Sequence, residues 1–286
     1  LYQSGLGPLT LLSDNSPNLD LEALDAIEVS ASPLSLDEAQ RIIARIEDVV
    51  RGRHVILVGG QAVSVWIGQL EDRLGDELTT APVVSRDIDF LGNTADLRRA
   101  GDLLGGRVHV AGWQRRTPLA GAAMFLDSDG HKRRLDFLES VYGMNSEDIR
   151  TTAIEIDLLA AGGRQVPVWV MHPERCMESR VHNSSLANKQ TDLAWRQLKA
   201  SIACARAFSR LLLDERGEAA VRDVLRLNER IFRFAQEDRS SKLASDRGIE
   251  TFEAVLDDER LPEKFRTVRL PQMRDRIRSL REPPSS

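Results

Sequence analysis

The chain has 286 residues, 42% of them hydrophobic and 29% charged, with a formal net charge of −5. That balance excludes a disordered or collagen-like chain and a uniformly basic surface that coats nucleic acid, and it leaves room for one large domain or two modest ones. No run approaches the roughly 18 apolar residues that cross a bilayer and no charged-then-apolar leader opens the sequence, so a cytoplasmic protein without a membrane partner is expected.

Residues 1–34 are rich in Leu, Ser, Asn, Asp and Pro without sustained periodicity and read as a loosely ordered lead-in. At Ser35 the stretch "SLDE" predicts a capping box, with Glu38 reaching back to Ser35, and Ala39, Ile42, Ile43, Ile46, Val49 and Val50 recur at helical spacing up to Gly52. "HVILV" is a β-branched run suited to a strand buried on both faces. Gly59 and Gly60 join it directly to a helix whose apolar side is Ala62, Val65, Trp66 and Leu70.

"DIDFLG" reads as a short strand, with Asp87 and Asp89 on one face and Ile88 and Phe90 on the other. A helix over 95–104, a strand in "RVHVAGW" and a hairpin turned at Asp129-Gly130 follow, then a second strand pair turned at Gly162-Gly163. From Pro173 the pattern becomes helical, over about 174–182, 185–213, 217–238 and 246–258, with Leu193, Leu198, Ile202, Ala205 and Leu212 striping the longest helix. The expected fold is therefore α/β (α+β), a mixed sheet with flanking helices over 35–172 followed by a helical domain over 173–286.

Between Lys264 and Arg281 there are seven basic residues and one acid, Asp275. A terminal helix lying on acidic neighbours is the commoner meaning of such a block, and a phosphate-binding arm is the alternative. Cys176 and Cys204 are too few and too isolated for a disulfide framework or a cysteine zinc site, and are expected as buried thiols. His54, His109, His131, His172 and His182 show no metal-ligand spacing.

Three features carry chemistry. The Gly59-Gly60 turn lets amides at a helix N-terminus approach a phosphate, although a plain structural turn uses glycine as readily. Asp87 and Asp89 lie close together on one strand face, where like charges need a compensating cation, and Mg²⁺ suits carboxylate oxygens together with substrate phosphates. Asp136 stands mid-strand between Leu135 and Phe137, its partner either Arg134 or Lys132 in an ion pair or the same metal. Asp127 and Asp129 are assigned to the hairpin turn and Asp157 to a later strand.

The order "VGG", helix, "RDIDF", then "LDF" resembles the nucleotidyltransferase fold of the polymerase-β type. "VGGQAVSVW", "SRDIDF" and "HPERCMESRVHNSSLANKQ" look most like minimal bacterial nucleotidyltransferases, including those related to AbiEii-type toxins. The resemblance implies that Gly59, Gly60 and Ser85 hold the nucleotide and that Asp87, Asp89 and Asp136 bind Mg²⁺, with Asp136 as base. It also implies that Lys189, with Lys199 as competitor, meets the triphosphate. Two departures stand out: a long gap from Gly60 to Asp87, with an inserted loop near "GDELTTAPVV", and Gln61 after the second glycine.

The expected activity is transfer of a nucleoside monophosphate from an NTP to an acceptor hydroxyl. A tRNA-directed toxin with a partner antitoxin comes first, and a small-molecule acceptor, as in aminoglycoside-type enzymes, or a protein hydroxyl follows. Arg115-Arg116, Lys132-Arg133-Arg134 and the basic tail could follow an RNA backbone, against an aromatic content of only 5%. The alternative from another class is a non-catalytic nucleotide- or partner-binding module on the same fold.

Overall fold

The computed structural model describes residues 33–75, 85, 87–112, 118–160, 163–186 and 190–281. The lead-in up to residue 32, the stretch 76–84 where an inserted loop is expected, Arg115, Arg116, Gly162 and Lys189 lie outside the described residues.

Helix α1 (Leu36–Arg45) is followed, after a break at Ile46, by the single turn α2 (Glu47–Val50). Ser35 caps α1 by accepting from the Glu38 amide at 3.2 Å, but Glu38 does not close the expected box: its carboxylate is taken by Arg133, 95 residues away. A buried guanidinium competes for a carboxylate more strongly than a terminal amide does.

Strand β1 (Ile56–Val58) is wholly buried and passes straight into α3 (Gly59–Gln69). Then come β2 (Ile88–Leu91), α4 (Thr94–Leu104), β3 (Arg107–Val110), β4 (Leu119–Leu126), β5 (Lys132–Leu138), α5 (Ser146–Thr152), β6 (Ile154–Leu159) and β7 (Gln165–Val170). Helix α5, absent from the sequence reading, is a short helix opened by Asn145, whose side chain accepts from the Glu147 amide.

The seven strands form one mixed sheet in the order β3-β4-β5-β2-β1-β7-β6. β1 runs antiparallel to β2 and parallel to β7, and β2 runs parallel to β5. Alternation along β2 buries Ile88 and Phe90 completely while Asp87 and Asp89 stay partly open. Phe90 stacks on its register partner Phe137, ring centroids 5.6 Å apart, so one face of this strand pair is core and the other carries the acids.

The helical part contains α6 (Pro173–Ser184), α7 (Asp192–Arg216), α8 (Glu218–Ala235), α9 (Asp238–Arg247) and α10 (Leu270–Arg281). Two boundaries differ from the periodicity reading. α7 begins at Asp192 because Thr191 caps it, accepting from the Ala194 amide, and the helix expected over 246–258 does not form: α9 ends at Gly248 with φ +63°, and a single 3-10 turn at Thr251–Ala254 follows. The stripe of α7 is buried at Leu198, Ile202 and Ala205, with Leu193 and Leu212 at its margins.

One hydrophobic core runs through both parts. Trp66 of α3 meets Phe208 of α7 edge-on at 5.4 Å and donates its indole N–H to the Met171 carbonyl at 2.8 Å. Arg230 of α8 grips the fully buried Glu174 of α6 by both carboxylate oxygens, at 2.7–3.0 Å. Both cysteines are buried thiols, and burial pushes the Cys176 thiol up to about 12.

The basic block at the C-terminus is largely spent on acids. Arg269 binds Glu229, Arg274 binds Asp257, Arg278 binds Asp275 and Arg281 binds Glu250. Here the commoner reading holds for Arg269, Arg274 and Arg281, which meet carboxylates on other elements once the chain packs, while Arg278 pairs within its own helix.

Candidate functional site

The two glycines are bare because side chains occupy the space above them. Gly59 has φ +70°, and a Cβ there would lie 2.1 Å from Asp89 Oδ2. A Cβ on Gly60 would lie 2.6 Å from Gln197 Nε2 and 2.8 Å from Ser85 Oγ. The turn therefore receives Asp89, Ser85 and Gln197 on top of the first amides of α3, whose N-cap residue Val58 supplies no side-chain hydrogen bond.

Ser85 is held in place from behind. The Leu34 amide donates to the Ser85 carbonyl at 2.8 Å, and Gln61 Nε2 donates to the Leu34 carbonyl at 3.4 Å. Gln61, one of the two departures from the resembled pattern, thus anchors the segment that places Ser85. Ser64 Oγ donates back to the Gly60 carbonyl at 3.2 Å and stiffens the turn.

Asp89 lies in register with Val58 on one side and Asp136 on the other. Parallel neighbours sit about 4.8 Å apart, so these two carboxylates rise from the same face of adjacent strands. Asp136 is 7% exposed and accepts from Arg134 Nε at 2.7 Å through Oδ1. Asp87 stands immediately before β2, partly exposed, on the same alternation as Asp89.

The cation facing Asp89 is one the sequence reading missed. Arg180 of α6 donates from Nη1 to Gln197 Oε1 at 3.0 Å. Burial lowers its pKa, and the attraction of Asp89 works in the opposite direction. Its Nε is buried and has no hydrogen-bond partner among the described residues. Gln197 bridges two parts of the site, its Nε2 over Gly60 and its Oε1 on Arg180. The one sequence signal for Arg180 is a charge one turn after Cys176 on the same helix face. Lys189 lies outside the described residues, and Lys199 is exposed on α7, lining a cavity with Arg206 and Arg210.

Among the described residues, one group has ligand atoms all within 4.8 Å of one another and could hold a metal ion: Glu38, Asp127, Asp129 and His131. Asp87, Asp89 and Asp136 are not in it. That group already contains a cation. Arg133, 2% exposed, donates from Nε to Glu38 Oε1 at 3.0 Å and to Asp127 Oδ2 at 2.8 Å.

Burial raises the Glu38 pKa, with the hydrogen bond to Asp127 adding to it and Arg133 opposing. For Asp127 burial also raises, but hydrogen bonds from Glu38, the His131 amide and Arg133 outweigh it and hold the carboxyl well below the usual range. Asp127 Oδ1 also accepts from the Asp129 amide at 2.9 Å, which is the turn role expected of it. His131 joins this group although its spacing in the sequence signals no ligand set.

The turn supports a direct prediction. Gly59→Ala should lower stability by about 2 kcal/mol or more, since a left-handed alanine costs about 1–2 kcal/mol and the new methyl displaces Asp89. Gly130→Ala, with φ +80° and nothing within 4 Å of the added Cβ, bears the conformational cost alone. Urea unfolding of the two variants measures the difference.

No known family profile matches the sequence, and no curated protein matches it. Among solved structures, an antigenic nucleotidyltransferase-like protein from Paracoccidioides brasiliensis is similar at 14% identity and a TM-score of 0.35, over 66% of this chain and 94% of that one. The antibiotic-resistance factor ANT(2'')-Ia is similar at 15% identity and a TM-score of 0.35, over 63% of this chain and 96% of its own. At such distance neither likeness carries an argument about chemistry, which rests on the site itself.

Proposed function

We propose that this chain is a divalent-cation-dependent nucleotidyltransferase that moves a nucleoside monophosphate from an NTP to an acceptor hydroxyl. The observation that carries the reading is the seat of Asp89: in register with Asp136, and pressed onto Gly59 where a Cβ would stand 2.1 Å from its oxygen. A carboxylate seated on a bare helix N-terminus would put a metal ligand beside amides able to receive phosphate oxygens, the pairing that phosphoryl transfer needs.

The donor chemistry suits the implied cation, although these three carboxylates are not drawn together as Glu38, Asp127, Asp129 and His131 are. Asp87, Asp89 and Asp136 are hard oxygen ligands from neighbouring backbone, and the lack of a side chain at Gly59 lets the Asp89 carboxylate sit directly over the turn. These three would hold Mg²⁺, which supplies charge neutralisation on the phosphates when bound. Gly59 and Gly60 amides and the Ser85 hydroxyl receive phosphate oxygens. Arg180 turns its guanidinium from Asp89 to the triphosphate, with Gln197 keeping its orientation. Asp136, steadied by Arg134, accepts the proton of the acceptor hydroxyl as its oxygen attacks the α-phosphorus and pyrophosphate departs.

The test is pyrophosphate release and transfer of an α-labelled nucleotide, run with each NTP across an acceptor panel of tRNA, aminoglycosides and protein hydroxyls. Transfer that requires Mg²⁺ supports the reading, and its absence across the panel overturns it. In the same assay Arg180→Met should raise the KM for NTP about tenfold while kcat changes less, as expected for a charge that grips phosphate before and during reaction.

One observation favours a second reading. Arg134 and Arg180 already offer positive charge to Asp136 and Asp89, which suits a nucleotide-binding module without turnover. Calorimetric NTP binding that does not depend on Mg²⁺, with no pyrophosphate released, would select it.

A further inference from the structure

A cavity of about 1020 Å³ lies along the side of α7, away from the carboxylates. Its lining includes five cationic residues, Arg73, Lys199, Arg206, Arg210 and Arg274, against the acids Glu253 and Asp257. Arg73 and Arg274 are ion-paired, with Asp214 and Asp257. Lys199, Arg206 and Arg210 are exposed and form no ion pair among the described residues, although Arg210 also acts at longer range on Asp258.

These three cations are spaced by seven and four residues, so they line one face of α7 in a row about 16 Å long. Between and below them the groove is apolar, with Ile202 and Ala207 on its floor and the half-buried ring of Phe252 on its wall. The direction of the groove follows from how α7 lies against α3. Gln197 touches Gly60, Phe208 touches Trp66, and Asp214 binds Arg73 beyond the end of α3. The two helices therefore run side by side in the same sense, and the row begins at Lys199, two residues past the one that contacts the glycine turn.

We propose that this groove binds the phosphodiester backbone of a single-stranded nucleic-acid segment, with the three unpaired cations on successive phosphates and Phe252 offering a ring face to a base. A linear row of cations over an apolar floor matches a polyanion whose bases have π-faces. An acidic peptide could meet the same three cations but gains nothing from the apolar floor and the Phe252 ring, which suit the π-faces of bases. The site stands apart from the carboxylates, so binding requires neither Mg²⁺ nor turnover.

The experiment is fluorescence anisotropy of the full chain with a labelled oligouridylate, without NTP or divalent metal, over a range of salt. Wild-type binding should weaken with salt, with a log–log slope of about −0.7 per phosphate contact. The variant Lys199→Ala/Arg206→Ala/Arg210→Ala should lose about two units of that slope and weaken binding at least tenfold. Removing the same number of exposed charges as Lys264→Ala/Arg276→Ala/Arg278→Ala should change little, and Asp89→Asn should bind as wild type, which separates this proposal from the transferase reading.

Unfolding midpoints check that the variants fold, as exposed side chains predict. Absence of binding at low salt, equal loss in the two triple variants, or stronger binding of poly-glutamate with the same dependence on the three cations would overturn the proposal.

Discussion

Asp89→Asn will lower the rate of nucleotidyl transfer by about three orders of magnitude, close to 4 kcal/mol of transition-state stabilisation. Asparagine fills the same space over Gly59, so the turn and the β1–β2 register persist while the charge disappears. Rate then reports on the charge and not on the fold. Asp136→Asn should fall comparably, because it is the register partner of Asp89 on the same sheet face and sits buried beside Arg134. The measurement is kcat for pyrophosphate release under saturating NTP and Mg²⁺, alongside the unfolding midpoint. Wild-type turnover in a folded Asp89→Asn protein would remove the transferase reading.

Arg133→Ala should destabilise the protein by about 3–5 kcal/mol, the range for breaking a buried ion pair from one side. Its guanidinium is the shared cation of Glu38 and Asp127, joining α1 to the β4–β5 hairpin, and all three side chains are nearly inaccessible. Truncation leaves two buried acids facing each other. Urea unfolding measures the loss, and a change under 1 kcal/mol would refute the structural role. The neighbouring metal-like group has its own check: in the wild type Mg²⁺ or Ca²⁺ should leave the unfolding midpoint unchanged, because Arg133 already occupies the place of a cation between Glu38 and Asp127.

The pH dependence of this cluster has two opposed parts. Asp127, held below its unfolded pKa, contributes stability that is present above about pH 4 and is lost as pH falls. Glu38, raised by burial, contributes in the other sense: its protonated form is favoured in the fold, and that contribution fades as pH rises through its folded value.

Short-range pattern made much of the architecture legible. The β-branched run before Gly59, the two-residue alternation in "DIDF", and Asp129-Gly130 between two apolar stretches each encode a local conformation, and β1, β2 and the β4–β5 hairpin follow them. The acidic residues were visible for the same reason, since a carboxylate with buried neighbours on either side is conspicuous along a strand. The helix ends were read less well where a cap decides them, as at Thr191 and Gly248, because periodicity alone does not mark where a helix stops.

What the sequence by itself determined is therefore the set of elements, the glycine turn and the acids, all of which depend on residues within a few positions of one another. Only the tertiary structure decided which charges meet. Arg180 and Gln197 reach Asp89 and Gly60 from helices that follow the sheet, Arg133 draws Glu38 away from its cap, and Arg274 and Arg281 of the C-terminal helix find acids on other elements while Arg206 and Arg210 of α7 form no ion pair among the described residues. The physical reason is that Coulomb and hydrogen-bond interactions depend on distance in space, and chain separation of many tens of residues leaves no periodic trace from which that distance can be read.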